Sequence, residues 1–285
     1  MSSTSSQAAA LEHAKTLPVW WPLRAWLGVE ALFGLGASAG IFLNPGGSLA
    51  NFAWPIKPDV MGATLGAFYL GSLFTLAPSV FITVWQNVRV IVLPGAVFTT
   101  MLLIATILHW DRFSTTTIPF YIWLASYVLP PPIFGAMYWW HQTRSRPVGA
   151  DIKRPLPGAI RAFLLANGLG LSAFAAFTFL MPSILQQIAP WNFTPLTARV
   201  FCGFLMLVGL FQLGMAWEND LIRSRIAAPM LIAFPVALAI QLFRFSAEVR
   251  WTSVALWVFL IDVVLIALVS LVVWMQARND SKRAV

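Results

Sequence analysis

Two carboxylates lie inside long apolar stretches of the sequence, where an ionisable side chain is costly and suggests a function. Asp262 lies about midway between Trp251 and Trp274, and therefore near the centre of a predicted bilayer span. Glu30 follows Arg24 by about 9 Å along a helix, inside the first predicted span. We predict that both carboxylates act as ligand contacts or proton relays. The structural alternatives are a hydrogen bond from Asp262 to a neighbouring helix, and pairing of Glu30 with Arg24 or with lipid headgroups.

A second cluster of polar residues lies at the predicted outer end of the third apolar stretch. It consists of His109, Asp111 and Arg112, with Trp110 between them. A histidine beside a carboxylate is typical of metal binding or of proton transfer. The alternative is a capped helix end in which Asp111 and Arg112 form an ion pair. The corresponding stretch later in the chain retains only the arginine, as Arg244.

Two loops between apolar segments share the order proline, tryptophan, proline. The first covers residues 44–58 and contains Trp54, and the second covers residues 182–195 and contains Trp191. Because proline restricts its own backbone and that of the preceding residue, we expect each loop to fold back as a short helix. Together with the neighbouring span ends, the loops would form an outer vestibule. Its predicted residues are Trp54, His109, Asp111, Arg112, Trp191 and Arg244.

The sequence contains no catalytic or nucleotide-binding motif. The phosphate-binding pattern G-x-x-x-x-G-K and the zinc pattern H-E-x-x-H are both absent. The other two histidines, His13 and His141, are predicted on the opposite side of the membrane from His109, so no metal site is predicted. The single cysteine, Cys202, excludes an intramolecular disulfide. The sequence therefore favours a protein that is not an enzyme, and it leaves any cofactor unknown.

The composition places these residues in a membrane protein. Hydrophobic residues make up 59% of the chain and charged residues only 10%, whereas soluble domains carry about 25% charged residues. The charges lie between apolar runs of about 20 residues, a length that crosses a bilayer as a helix. The predicted fold class is therefore all-α integral membrane. The eight predicted spans are residues 22–43, 60–84, 89–109, 117–140, 158–181, 197–217, 225–243 and 253–275.

Membrane topology explains the net charge of +8, and we expect no nucleic acid as a partner. Of the 18 lysine and arginine residues, 13 fall on one predicted side of the membrane and 5 on the other. The side with more basic residues is expected to be cytoplasmic. With an even number of spans, both termini are predicted to be cytoplasmic in a multi-pass protein of the cell membrane. The lipid bilayer is the predicted partner.

One stretch of the sequence occurs twice. When residues 24–76 are shifted by 137 positions without a gap, 15 of the 53 aligned positions are identical. The identities include rare residues, such as Trp54 on Trp191. A repeat with a fixed period indicates a duplicated architecture. Since each half holds four predicted spans, both halves enter the membrane from the same side, as two parallel four-helix repeats.

The repeat divides the chain into five predicted regions. They are a disordered cytoplasmic tail (1–17), the first four-helix membrane repeat (18–140), a basic cytoplasmic linker (141–157), the second four-helix membrane repeat (158–276) and a basic cytoplasmic tail (277–285). In the first repeat, three consecutive prolines from Pro130 to Pro132 are expected to break or kink the fourth span.

The motif W-P-x-x-P, followed by a glycine-containing helix, resembles an uncharacterised bacterial family of polytopic membrane proteins. It is also similar to the DoxX-like four-helix membrane superfamily, here duplicated. The residues that carry the resemblance are Trp54, Pro55, Pro58 and Gly66 in the first copy, and Trp191, Pro195 and Gly203 in the second. The second copy departs from the motif at Asn192. The resemblance implies a four-helix-bundle repeat, and it supplies no activity.

Two functions fit this pattern. The first is binding or transport of a small apolar or lipid-like molecule between the two repeats, with Asp262 facing a polar cavity. The alternative is a non-catalytic scaffold or accessory subunit, whose partners would be other membrane protein subunits. A third interpretation is a membrane enzyme that uses His109 and Asp111 at the outer face.

Overall fold

The computed structural model describes residues 17–145, 147–148, 152 and 154–283, and for residues 280–283 it describes only the backbone. The described part of the chain is all-α. Its main helices are α1 (Trp21–Ser38), α2 (Asp59–Ser79), α3 (Arg89–Leu108), α4 (Ile118–Val128), α5 (Pro130–Gln142), α6 (Gly158–Leu180), α7 (Pro195–Glu218), α8 (Ala228–Arg244) and α9 (Val254–Arg283).

Among the described residues, seven helical segments are long and apolar enough to cross a bilayer. They are Trp21–Leu43, Asp59–Ser79, Arg89–Leu108, Ile118–Gln142, Gly158–Leu180, Pro195–Glu218 and Val254–Asn279. The first comprises α1 and the π-helical turn Ala39–Leu43 that continues it, and the fourth comprises α4 and α5. α8 is also apolar but has only 17 residues. The protein is therefore a polytopic helical membrane protein, and seven of the eight predicted spans reach the length of a membrane span.

The three consecutive prolines divide the fourth span, as the sequence predicts. α4 ends at Val128 and α5 begins at Pro130. Proline is tolerated in the first turn of a helix, because the backbone N–H groups there have no partner within the helix. At its own start, α4 is capped by the Thr117 hydroxyl, which accepts a hydrogen bond from the backbone N–H of Phe120 at 3.4 Å. The span is therefore two helices joined at Leu129.

α2 and α7 lie at the centre of the bundle. In the most apolar part of each, 72% of the residues are buried, against 28% for the spans that contain α1, α6 and α9. α2 packs against α1 and α8, and α7 packs against α6 and α3. α3 also packs against α5, and α8 against α9. The outer helices therefore present apolar side chains on their outer faces, as expected for contact with lipid.

Both proline-containing loops contain a short helix, as predicted. These helices are Ser48–Asn51 in the first loop and Pro182–Ile188 in the second. In the second loop, the side-chain amide of Gln186 donates to the backbone oxygen of Phe193 at 2.8 Å. Each loop is therefore folded against itself and is not an extended connection.

Parts of the predicted terminal regions and linker lie outside the described residues. These parts are residues 1–16 of the N-terminal tail, residues 146, 149–151 and 153 of the linker, and residues 284–285 of the C-terminal tail. α9 continues as a helix to Arg283, beyond the predicted end of the last repeat at residue 276.

Candidate functional site

A cavity of about 340 Å³ lies among the helices of residues 18–140, which we call the first half. Helices α1 to α5 contribute most of its walls, and α7, α8 and residues 51–52 of the first loop contribute the rest. The lining is mostly apolar, and its aromatic rings include Phe33, Phe98, Trp123, Phe134, Phe204 and Phe211. The volume lies within the usual range of small-molecule sites in proteins.

Three polar side chains of the cavity are of particular interest. Tyr69 on α2 and Tyr127 on α4 join their hydroxyl groups by a hydrogen bond of 2.6 Å. Glu30 on α1 differs, because its Oε1 atom is buried and has no hydrogen-bond partner among the described residues. A buried polar atom without a partner costs about 1–3 kcal/mol. A ligand group that donates a hydrogen bond to Glu30 would remove this cost.

The cavity opens sideways, at the surface of the bundle between α1 and α4. Leu32 and Gly36 on α1 and Ile122 on α4 line the cavity, and all three are exposed. Exposed Asn51, from the short helix of the first loop, lines the same region. The opening therefore lies between two lipid-facing helices.

Asp262 lies on α9 beside a pocket of only about 10 Å³, room for about one water molecule. The other residues around this pocket are apolar and include Phe234 and Phe259. On α6, Asn167 lies near the Asp262 carboxyl and donates to Gln212 Oε1 at 3.1 Å. The structure thus places Asp262 in a packed contact between helices, and not beside the polar cavity that the sequence suggested.

His109 at the end of α3 contacts Arg199 on α7, with 2.6 Å between His109 Nε2 and Arg199 Nη1. A guanidinium can only donate hydrogen bonds, so His109 Nε2 accepts this bond and is unprotonated. Burial and the charge of Arg199 both lower the pKa of His109, which favours the neutral ring. The Nε2 atom of His109 is therefore occupied by an arginine.

Asp111 and Arg112 form an ion pair of 3.0 Å, as the structural alternative for this cluster predicts. Their side chains are 72% and 71% exposed, and such exposed pairs contribute about 0–1 kcal/mol. The pair does not join the contact between His109 and Arg199. The structure therefore separates the predicted cluster into a half-buried contact between His109 and Arg199 and a solvent-facing ion pair.

The two loop tryptophans are buried. The Trp54 ring packs against Phe113 and Trp123, with centroid distances of 5.2 and 4.7 Å. The Trp191 indole N–H donates to Met61 Sδ at 3.3 Å. Both side chains therefore lie in the packed end of the bundle that contains the two loops, and are not on the surface of an open vestibule.

Arg244 at the end of α8 contacts the C-terminal end of the first span. It donates to the backbone oxygens of Phe42 at 3.0 Å and Leu43 at 3.2 Å. Gln241, one turn earlier, donates to the same Phe42 oxygen at 2.9 Å.

Within the described part of the chain, none of the six residues predicted for the vestibule lines the 340 Å³ cavity.

A buried ion pair between α3 and α7 was not predicted from the sequence. Arg89 donates through Nε and Nη2 to the carboxylate of Glu218, the second bond measuring 2.8 Å. In the sequence both residues lie at the ends of apolar stretches, where membrane topology alone explains a charge. Nothing in the sequence indicated that two residues so far apart would meet.

The tyrosine pair was also missed, although the composition contained a signal. The chain has 22 phenylalanines but only 4 tyrosines. A tyrosine hydroxyl in an apolar region usually has a hydrogen-bond partner. Two of the four tyrosines, Tyr69 and Tyr127, provide that partner for each other at the cavity.

The fold and the cavity define the class of the protein as a polytopic, all-helical membrane protein with seven candidate spans. Among the residues that the structure describes, no group of three or more His, Cys, Asp or Glu could hold a metal ion. The sequence matches no protein-family model, no curated protein and no solved structure. The resemblance to the DoxX-like superfamily therefore stays a prediction.

Proposed function

We propose that this protein binds a small apolar, lipid-like molecule in the cavity of the first half. The main support is the cavity itself, with its volume of about 340 Å³ and its aromatic lining. Ligand sites in proteins are typically apolar clefts that contain a few polar groups. Phe204 from α7 and Met230 from α8 also line the cavity. The site would therefore include side chains from both halves of the chain, although it lies mainly among the helices of the first half.

We further propose that the ligand enters sideways from the bilayer. The support is the opening between α1 and α4, where the cavity-lining side chains Leu32 and Ile122 are 67% and 48% exposed. An apolar molecule dissolved in the bilayer would reach this opening without crossing water. Its entry would therefore avoid the cost of exposing apolar surface to water.

Gly36 provides a direct test, because a larger side chain there would occupy the opening. A Cβ atom at Gly36 would have no neighbour within 4 Å. We expect Gly36→Leu to weaken binding of decanol, an uncharged amphiphile, by about tenfold or more, because the leucine takes the space of the ligand. Native mass spectrometry of the detergent-solubilised protein, titrated with decanol, measures the bound fraction.

Gly170→Leu on α6 is the matched control. Gly170 is exposed, and its Cβ would also meet no atom within 4 Å. We expect this variant to bind decanol as the unmodified protein does. Equal binding by Gly36→Leu, or no saturable binding by the unmodified protein, would contradict the proposal. Defined protein subunits recovered after gentle extraction, with an empty cavity, would instead favour the scaffold or accessory-subunit alternative.

We also infer that α8 crosses the bilayer as an eighth span and that the halves are parallel four-helix repeats. The 17 residues of α8 would extend about 25 Å, near the thickness of the hydrocarbon core. Corresponding helices make corresponding contacts, which supports the repeat. The pairs are α1–α2 with α6–α7, α2–α8 with α7–α3, and α3–α5 with α8–α9. A two-fold axis along the membrane normal would relate these pairs.

Cysteine labelling from each side of the membrane tests this topology, after Cys202→Ser removes the native thiol. Thr143, Arg225 and Thr252 are exposed and can each be replaced by cysteine in separate variants. We expect an external reagent to label the cysteine at Thr252 and neither of the others, because both termini are proposed to be cytoplasmic. Labelling of Arg225→Cys and Thr252→Cys from the same side would exclude α8 as a span. External labelling of Thr143→Cys would reverse the proposed orientation.

A further inference from the structure

We propose that the cavity selects amphiphiles with an alkylammonium head, which binds the carboxylate of Glu30 while the alkyl chain extends toward the opening. This inference rests on the proposed binding function and names the chemical class of its ligand. Its basis is the combination of an unpartnered carboxylate, aromatic walls and an apolar opening in one cavity.

The charge of the cavity favours a cation. Glu30 is the only Asp or Glu among its described lining residues, and no Lys, Arg or His of the described chain lines it. The buried Oε1 atom of Glu30 accepts no hydrogen bond from those residues. A charge in an apolar site is costly unless it is paired and hydrogen-bonded. An ammonium group supplies both the opposite charge and the hydrogen-bond donors.

The aromatic walls suit the same head group. Rings of Tyr69, Trp123 and Tyr127 line the cavity that contains Glu30. The electron-rich faces of aromatic rings attract ammonium ions, most strongly where water is excluded. The tyrosine oxygens also have lone pairs that can accept from a bound ammonium group. A cation would therefore be stabilised by the rings as well as by the carboxylate.

The second half of the chain contains a position that corresponds to Glu30, and the side chain there has a hydrogen-bond partner within the protein. A shift of 137 residues places Asn167 at the position of Glu30. Asn167 donates a hydrogen bond to Gln212 Oε1 at 3.1 Å. The position that corresponds to Glu30 therefore has an internal hydrogen-bond partner in the second half. In the first half, Glu30 Oε1 has no such partner, and a cavity large enough for a ligand lies beside it.

Because no basic residue of the described chain lines the cavity, the cavity should favour singly charged amphiphiles over zwitterionic ones. A zwitterionic lipid carries a phosphate close to its ammonium group, and that phosphate would need a cationic or hydrogen-bonding partner. A second anion close to Glu30 would in addition be repelled. A singly charged alkylammonium ion satisfies Glu30 without introducing another unpaired charge.

The test compares decylamine, which is cationic at neutral pH, with uncharged decanol. Native mass spectrometry gives the affinity of each for the unmodified protein and for Glu30→Gln, which keeps the side-chain size but removes the charge. We expect Glu30→Gln to weaken decylamine binding by about tenfold or more and to change decanol binding by less than about twofold. Asp262→Asn on α9 is the matched control, because it removes one negative charge outside the cavity. It is expected to change neither affinity.

The outcomes separate this inference from the binding function on which it rests. Saturable decanol binding that Gly36→Leu blocks, combined with decylamine binding that Glu30→Gln does not weaken, would overturn the inference alone. Failure of both amphiphiles to bind the unmodified protein would overturn both, whereas saturable binding of decanol without binding of decylamine would overturn the inference alone. Equal weakening of decylamine binding by Glu30→Gln and Asp262→Asn would assign the effect to net charge, and would also overturn the inference. If Glu30→Gln were not folded, Glu30→Ala would provide the same comparison.

Discussion

Replacement of Glu218 by alanine is expected to lower the free energy of unfolding by about 3–5 kcal/mol, because it removes one partner of a buried ion pair. The Glu218 carboxylate accepts hydrogen bonds from Arg89 Nη2 at 2.8 Å and from Arg223 Nη1 at 3.2 Å. The side chains of Arg89 and Glu218 are only 1% and 2% exposed. A guanidinium cannot lose its proton in a protein, so Arg89 would keep a buried charge without its carboxylate.

Chemical denaturation of the purified protein in detergent measures this loss of stability. The double replacement Arg89→Met with Glu218→Leu should cost less than Glu218→Ala, because it leaves no part of the buried pair charged. Asp111→Ala, in the exposed pair with Arg112, is the control and should change stability by less than about 1 kcal/mol. If Glu218→Ala were as stable as Asp111→Ala, the buried pair would not have the structural role proposed for it.

The position of the ion pair explains its importance for the whole bundle. Arg89 is the first residue of α3 and Glu218 is the last residue of α7. Arg89 Nη2 also donates to the backbone oxygen of Pro147, in the connection between the halves, at 3.4 Å. Nearby, Asp220 caps the short helix Leu221–Ser224 by accepting a backbone N–H at 2.9 Å. Polar contacts therefore fix the arrangement of the helices at this end of the bundle. Lipid contact and apolar packing alone would specify this arrangement poorly.

The helical spans could be predicted from the sequence because they depend on local composition. An apolar run long enough to cross a bilayer must form a helix to satisfy its backbone. The break before Pro130 follows from the missing backbone donors of proline. α8 shows where local composition stops being sufficient, since its 17 residues are apolar but shorter than a typical span.

The cavity could not be predicted, because it depends on how distant helices diverge. The sequence identified Glu30 as an unusual carboxylate, but whether it had a partner depended on side chains from distant helices. The sequence predicted Trp54 in an open vestibule, whereas its packing against Phe113 and Trp123 places it in the core. The residue types in the sequence indicated which side chains were unusual. Only the tertiary contacts distinguished between the roles that each side chain could have.

Gly66→Ala is expected to destabilise the protein by about 1–3 kcal/mol, because the added methyl group has no space. A Cβ atom at Gly66 on α2 would lie 2.5 Å from the backbone nitrogen of Phe42 and 2.6 Å from its Cα atom. Backbone atoms cannot rotate away as a side chain can, so α2 and the turn Ala39–Leu43 would have to separate. The same turn presents the Phe42 oxygen to Gln241 and Arg244. The separation would therefore weaken the link between α1 and α8 as well.

Two other glycines distinguish this cause from a general effect of alanine. A Cβ atom at Gly203 on α7 would meet the flexible end of the Leu102 side chain, which can move, whereas one at Gly170 would meet nothing within 4 Å. Alanine also stabilises an unstrained helix by about 0.4–1 kcal/mol relative to glycine. Thermal unfolding in detergent should therefore rank the variants with Gly66→Ala least stable, Gly203→Ala intermediate and Gly170→Ala at least as stable as the unmodified protein. A Gly66→Ala variant as stable as Gly170→Ala would mean that α1 and α2 can separate at little cost, and that their contact at Phe42 does not fix the position of α1 beside the cavity.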